Sequence, residues 1–277
     1  MSTVVIHGTL ARPESWWRLS GGGDFLAAVA EGMTAGGRSP HDIWTIGGRL
    51  ASQFPELRPA VTRGFFGTKL PPFDQTDGHF CWSGANVHRE RLDGGKALAL
   101  YLDALAKISP EETIDIVAHS HGANLVKVAS NHVGRQTRLG RLVFLAAPHC
   151  GIAQIGWMTK DYPYRLHPSW AASGGAKRVL NLYSAGDPVQ TRVAGNAPDS
   201  WGAPPGLPGL SQVFDAYRVD SDPQAEHAYD NVEIPTLSRS LAEHGALHNV
   251  AIGRLVGLWL TRWPDLSGED CRRHFLT

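Results

Sequence analysis

The stretch Ile114-Asp115-Ile116-Val117-Ala118-His119-Ser120-His121-Gly122-Ala123-Asn124-Leu125-Val126 decides the fold. Residues 114–118 are a short apolar run of the length of a buried strand. A helical pattern begins at once after it, over residues 123–133. Strand, tight turn and helix in immediate succession make the repeating unit of a parallel α/β sheet. Ser120 stands at the apex of the turn. This is the setting required of a G-x-S-x-G nucleophile turn, with Ala118 in the place of the first glycine and Gly122 in that of the second. Small residues are needed at both places, because larger side chains would collide with the flanking strand and helix. The same serine on an inert sheet would serve as a helix cap, so the pentapeptide has to be weighed with its surroundings.

Working outward, residues 4–6, 142–146 and 179–183 are further apolar runs followed by turn residues, and 80–82 is a weaker one. Helical patterns lie between them at 24–33, 92–108 and 123–133, and a last amphipathic one covers 250–260. Strands that alternate with helices predict a mostly parallel, doubly wound α/β sheet with right-handed crossovers. Three segments break the alternation: 38–78, 152–175 and 188–211, all rich in glycine, proline or aromatics. Segments of that length inside a compact domain are usually functional. Two of them follow predicted strands at their C-terminal ends, where sheets of this type bind ligands. No repeat or linker divides the chain, so residues 1–277 are expected to form one domain.

Composition excludes several classes. Lys plus Arg and Asp plus Glu both number 26, so the formal charge is zero, and neither a nucleic-acid binder nor a polybasic membrane-surface protein is expected. No apolar run is long enough to span a bilayer, and the N-terminal Met1-Ser2-Thr3-Val4-Val5-Ile6 reads as a strand rather than a signal peptide. Cys81, Cys150 and Cys271 are odd in number and widely spaced, which argues against a disulfide framework or a structural zinc site. The expected compartment is the cytoplasm; a signal-less export route would leave no mark. Oligomeric state is not encoded in any feature of the chain.

A serine nucleophile needs a base, and the base needs an orienting acid. In a sheet of this kind the chain order is serine, acid, histidine. Asp187 fits the acid, on the turn Ser184-Ala185-Gly186-Asp187-Pro188-Val189 after strand 179–183. Asp161, Asp215, Asp220 and Asp222 are fallbacks. The base is expected on a loop before the last helix, where Glu243-His244-Gly245-Ala246-Leu247-His248-Asn249 holds two histidines four residues apart. His244 is preferred, because Gly245 leaves room to turn and Leu247 would anchor the loop; His248 is the alternative base and His227 a third candidate. Two backbone N–H donors are needed for a developing oxyanion. His121, next to the serine, supplies one; Thr9, in Val5-Ile6-His7-Gly8-Thr9-Leu10, is expected to supply the other, with Gly8 allowing close approach. Trp16 and Trp17 are candidates for the wall of a substrate pocket, or equally for the core. His7, His119, His121 and His149 lie at strand ends with no carboxylate-rich ligand set, so no metal is expected. His119 is expected to face the neighbouring strand and His121 the cleft.

Taken in order, VVIHGT, VAHSHG, LAAPHCG, YSAGDPV and EHGALHN resemble the α/β-hydrolase superfamily, and within it compact lipases and esterases. LAAPHCG is similar to the (S/T)PHxG segment of many lipases. The matches span most of the chain. The resemblance implies an α/β-hydrolase fold in which Ser120, Asp187 and His244 form a triad and Thr9 and His121 the oxyanion hole. It departs from the pattern at Ala118, and its histidine loop leaves His244 and His248 both in play. The expected activity is hydrolysis of a small-molecule or lipid-like ester without a cofactor. A thioesterase or amidase with the same triad is the alternative within enzymes. A non-catalytic binding protein of the same fold is the alternative outside them.

Overall fold

The structure is a computed structural model that describes residues 2–6, 8, 22–38, 80, 82, 84, 88–108, 110–148, 154–155, 158–159, 166–167, 179–189, 229–235 and 243–262. Its strands are β1 (Ser2–Ile6), β2 (Ile114–His119), β3 (Leu139–Leu145), β4 (Gln154–Ile155), β5 (Met158–Thr159), β6 (Val179–Tyr183) and β7 (Tyr229–Glu233). Its helices are α1 (Gly22–Ala35), α2 (His88–Ile108), α3 (Gly122–Ser130), α4 (Glu243–Ala246) and α5 (Val250–Arg262). Five strands form one sheet in the order β1-β2-β3-β6-β7, and every pairing in it is parallel. The protein therefore has the α/β architecture that the alternation of apolar runs and helical patterns predicts.

Side-chain alternation along the strands feeds two cores. Ile116, Ala118, Leu142 and Phe144 pack with α2 and α3 on one face, through Leu98, Leu102, Leu125 and Val126. Val117, Val143, Leu145, Leu180 and Leu182 pack with α1 and α5 on the other, through Phe25, Met33, Ile252 and Trp259. Covering both faces is what allows β2 to be buried along its whole length. It also explains why its sequence shows no polar alternation, with Asp115 and His119 polar only near its two ends.

Asp115 lies at the N-terminal end of β2, the end opposite the serine turn. Its carboxylate meets the Arg38 guanidinium at 2.9 Å and accepts the Arg141 N–H at 2.7 Å. Burial pushes its pKa up, against the pull of the Arg141 N–H and the Arg38 charge. Arg141 also donates to the Leu260 carbonyl near the end of α5, which ties that helix to the start of β3.

Three elements differ from expectation. Phe80 and Trp82 are buried in the core but belong to no strand. They anchor the approach to α2 by packing instead of by a ladder. Conversely β7, Tyr-Asp-Asn-Val-Glu, pairs with β6 although its polar content hid it. It is the last strand on its side among the described residues, with Val232 buried and Glu233 exposed. Asn181 and Asn231 face each other across this pair and join at 2.9 Å. Segment 152–175 contains the antiparallel pair β4–β5 rather than loop alone. No described helix is long and apolar enough to cross a membrane.

Helices α1 and α5 approach so closely that Gly257 has no room for a side chain. A Cβ there would lie 2.1 Å from the Val29 carbonyl oxygen and 2.7 Å from the Met33 nitrogen. Because both obstacles are backbone, the helices must separate to admit it. Gly257→Ala is expected to destabilise by about 1–3 kcal/mol, seen as a fall of several degrees in Tm by circular dichroism. An unchanged melt would contradict this packing.

Candidate active site

The site forms at the C-terminal edge of the sheet, where β2 gives way to α3. Ser120 sits between them with φ at +53°, a left-handed conformation that a non-glycine residue adopts only under constraint. Three hydrogen bonds hold the turn, two of them made by Ser120 itself. The Ser120 N–H donates to the Leu145 carbonyl at 2.8 Å, which extends the β2–β3 ladder one residue past the strand. The Ala123 N–H donates to the Ser120 carbonyl at 3.1 Å, and the Asn124 N–H to the His121 carbonyl at 3.0 Å, which starts α3. Of the small residues read from the sequence, Ala118 is fully buried in β2 and Gly122 opens α3.

Gly8, just after β1, lies directly against this turn. A Cβ on it would fall 2.6 Å from Ser120 Cβ and 2.7 Å from His119 Nδ1. The backbone after the first strand therefore comes close to the serine turn at Gly8. Thr9 itself, with His7, Trp16 and Trp17, lies outside the described residues, as do Asp161, Asp215, Asp220, Asp222 and His227.

Asp187 follows β6 on a turn closed by its own N–H to the Ser184 carbonyl at 3.1 Å and by Gly186 N–H to Ser184 Oγ at 3.2 Å. Its carboxylate is wholly buried. Oδ1 accepts the Val189 N–H at 2.9 Å, and Oδ2 accepts the Nδ1–H of His244 at 2.7 Å. A buried carboxylate requires such partners, because desolvation without them would cost several kcal/mol. With Nδ1 donating, His244 presents Nε2 as its basic nitrogen.

His248 is placed differently. Only four residues on, it is buried beside the start of α5, with Phe25 edge-on at 5.4 Å between ring centroids and His119 at 4.0 Å. Helix α4 ends at Ala246 and α5 begins at Val250, so the two histidines do not share one helical face. Burial, helped by charge on His244, pushes the His248 pKa down to about 3.

Two flanking histidines correct the sequence reading. His121, expected to face the cleft, is buried, and its Nδ1 accepts from Asn124 Nδ2 at 3.0 Å. That amide also donates to the Pro148 carbonyl at 3.1 Å, joining α3 to the segment after β3. Burial holds the His121 pKa well below the ordinary imidazole range, and the charges of Arg91, His244 and Lys127 act in the same direction. His119 contacts the histidine segment rather than a neighbouring strand alone. Its Nε2–H donates to the His244 carbonyl at 3.2 Å, and its ring lies 4.7 Å from that of His244. Period-two alternation could have shown this, since residue 119 shares the face of Val117, the face that α5 covers. Among the described residues no group of histidine, cysteine and carboxylate side chains is placed to hold a metal ion.

No family model matches the chain, and no curated protein matches it. Among solved structures, the crystal structure of the product of gene lin2722 from Listeria innocua aligns with 95% of this chain and 94% of that one, at 13% identity and a TM-score of 0.38.

The depressed pKa of His248 has a consequence for stability. Unfolded, this imidazole titrates near 6.5, whereas folded it titrates at about 3. Below pH 6.5 the unfolded chain takes up a proton that the folded chain refuses, so stability falls as the pH drops toward 3. Between pH 7 and pH 5 the loss is about 2 kcal/mol from this residue. Urea denaturation at the two pH values should show it, and His248→Gln should shrink the difference by a similar amount. An equal loss in both proteins would refute the assignment.

Proposed function

We propose that the protein is a serine hydrolase of carboxylic esters, related in architecture to the lipases and esterases of the α/β-hydrolase superfamily. One observation carries the reading. A fully buried Asp187 takes the Nδ1–H of His244 at 2.7 Å, and the ring of His244 lies 4.7 Å from that of the residue before Ser120, whose backbone is held at φ +53°. A buried acid oriented on an imidazole, next to a serine on a strained turn, is the arrangement that acyl transfer needs.

In this reading Ser120 Oγ attacks the ester carbonyl while His244 Nε2 takes its proton. Asp187 holds the imidazole in the required tautomer and stabilises the imidazolium. The oxyanion is met by the N–H groups of His121 and of Thr9, the residue that follows Gly8 in the sequence. His244 returns its proton to the departing alcohol, leaving an acyl group on Ser120. Water, activated by the same histidine, then releases the acid. Each step moves protons and acyl groups between side chains of this chain and the substrate. The aromatic residues of the three long segments favour an apolar ester over a charged one.

A fluorophosphonate probe should label the protein, and Ser120→Ala should abolish labelling; absence of labelling in the unaltered protein would sink the hydrolase reading. On p-nitrophenyl esters of increasing chain length, Asp187→Asn and His244→Ala should each lower kcat by roughly 10⁴-fold or more. His248→Ala should leave most of the activity, and the reverse pattern would exchange the two histidines. Background rates on every ester, with labelling intact, would move the substrate to thioesters or amides.

A further inference from the structure

We propose that His119 is a positioning residue for the base of this reaction: through its Nε2–H and ring it fixes the segment bearing His244 against the nucleophile turn. The inference rests on the serine-hydrolase reading and adds to it a residue outside the triad. His244 sits on α4, a helix of four residues. A single turn gains almost nothing from its own hydrogen bonds, so its place depends on contacts from elsewhere. The bond from Nδ1 to Asp187 fixes one edge of the His244 ring, and it anchors that ring to the turn after β6. Nothing in that bond sets the distance to the turn after β2.

His119 supplies that second constraint. It is the last residue of β2 and the covalent neighbour of Ser120, so its backbone shares the constraint of the strained turn. Its Nε2 lies 3.2 Å from the His244 carbonyl oxygen. A carbonyl can only accept, so this nitrogen carries the proton and the ring is the Nε2–H tautomer. The His119 ring lies 4.7 Å from the His244 ring and 4.0 Å from the His248 ring, between the two ends of the segment. On its other side, Nδ1 is 2.7 Å from the point where a Gly8 Cβ would stand. One imidazole thus touches the nucleophile turn, the backbone after β1 and the segment of the base. Loss of its bond would let α4 shift relative to Ser120, and a misplacement near 1 Å costs about 10²-fold in rate.

Two substitutions separate the donated bond from simple space-filling. His119→Phe keeps an aromatic ring and removes the donor. His119→Gln removes the ring and keeps an amide N–H at a similar reach. Kinetics on a p-nitrophenyl ester, with fluorophosphonate labelling rates and melting temperatures, are the measurements. Expected for His119→Phe is a fall in kcat and in labelling rate of about 10- to 100-fold, with KM within about twofold of the unaltered protein. Expected for His119→Gln is recovery to within about threefold. A His119→Phe protein with unaltered kcat overturns the proposal. So does a His119→Gln protein as slow as His119→Phe at an unaltered melting temperature. Should either variant fail to fold, the imidazole nitrogens of the unaltered protein decide. Two-dimensional ¹H–¹⁵N correlation should show His119 protonated at Nε2, and protonation at Nδ1 alone would overturn the proposal. If the unaltered protein itself resists the probe, the hydrolase reading fails and takes this inference with it. Labelling that is intact in both the unaltered protein and His119→Phe overturns the inference alone.

Discussion

The left-handed backbone at Ser120 is the constraint on which the C-terminal edge of the sheet depends. Such a conformation costs a non-glycine residue about 1–3 kcal/mol and persists only where the surroundings over-determine it. Here the surroundings are a strand buried on both faces and a ladder that continues past its end. The Ser120 N–H reaches the Leu145 carbonyl, the Ala146 N–H reaches Leu182, and the Ile234 N–H reaches Tyr183. Ala146 repeats the left-handed turn at φ +48°. The same rim therefore releases three successive strands, each stapled to the next just where its chain turns away. Segments leaving β2 and β6 are held at fixed spacing, and they carry Ser120 and Asp187.

The N-terminal and C-terminal edges of the sheet illustrate opposite uses of buried charge. At one end Asp115 is matched by Arg38 and by the Arg141 backbone, and these partners bind α1 and β3 together. At the other, Asp187 accepts one backbone N–H and one imidazole N–H. The first arrangement saturates a carboxylate with donors of structural elements. The second joins a carboxylate to the imidazole of a separate segment, 57 residues further along the chain. Buried His121 and His248 lie near it, with their pKa values pushed down chiefly by burial.

Much of the architecture was legible because apolar periodicity is a local signal. The strand at residues 179–183 and the helices around 92–108 and 250–260 appear almost where their patterns lie. The misses have physical causes. Phe80 and Trp82 are apolar because they fill the core beside α2, and burial alone does not create a ladder. β7 escaped notice because a strand with one neighbour among the described residues needs little apolar surface, and Val232 supplies it. In the candidate site, Ser120 and Asp187 were visible as turn residues at strand ends. The contact between His119 and His244 was not, because it spans 125 residues of sequence and depends on which face of the sheet α5 covers.

Sequence by itself determined the order of the chemistry-bearing turns and the small residues that let each turn form, since strand–turn–helix sterics act within a few residues. It also determined the absence of a strong net charge. Tertiary structure alone decided which histidine meets the acid. His244 and His248 stand four residues apart and would share one face of an unbroken helix, but the chain breaks between Ala246 and Val250. The break points the first toward Asp187 and turns the second inward against Phe25. The direction of such a break is set by the helices and strands packed around it, which no local pattern encodes.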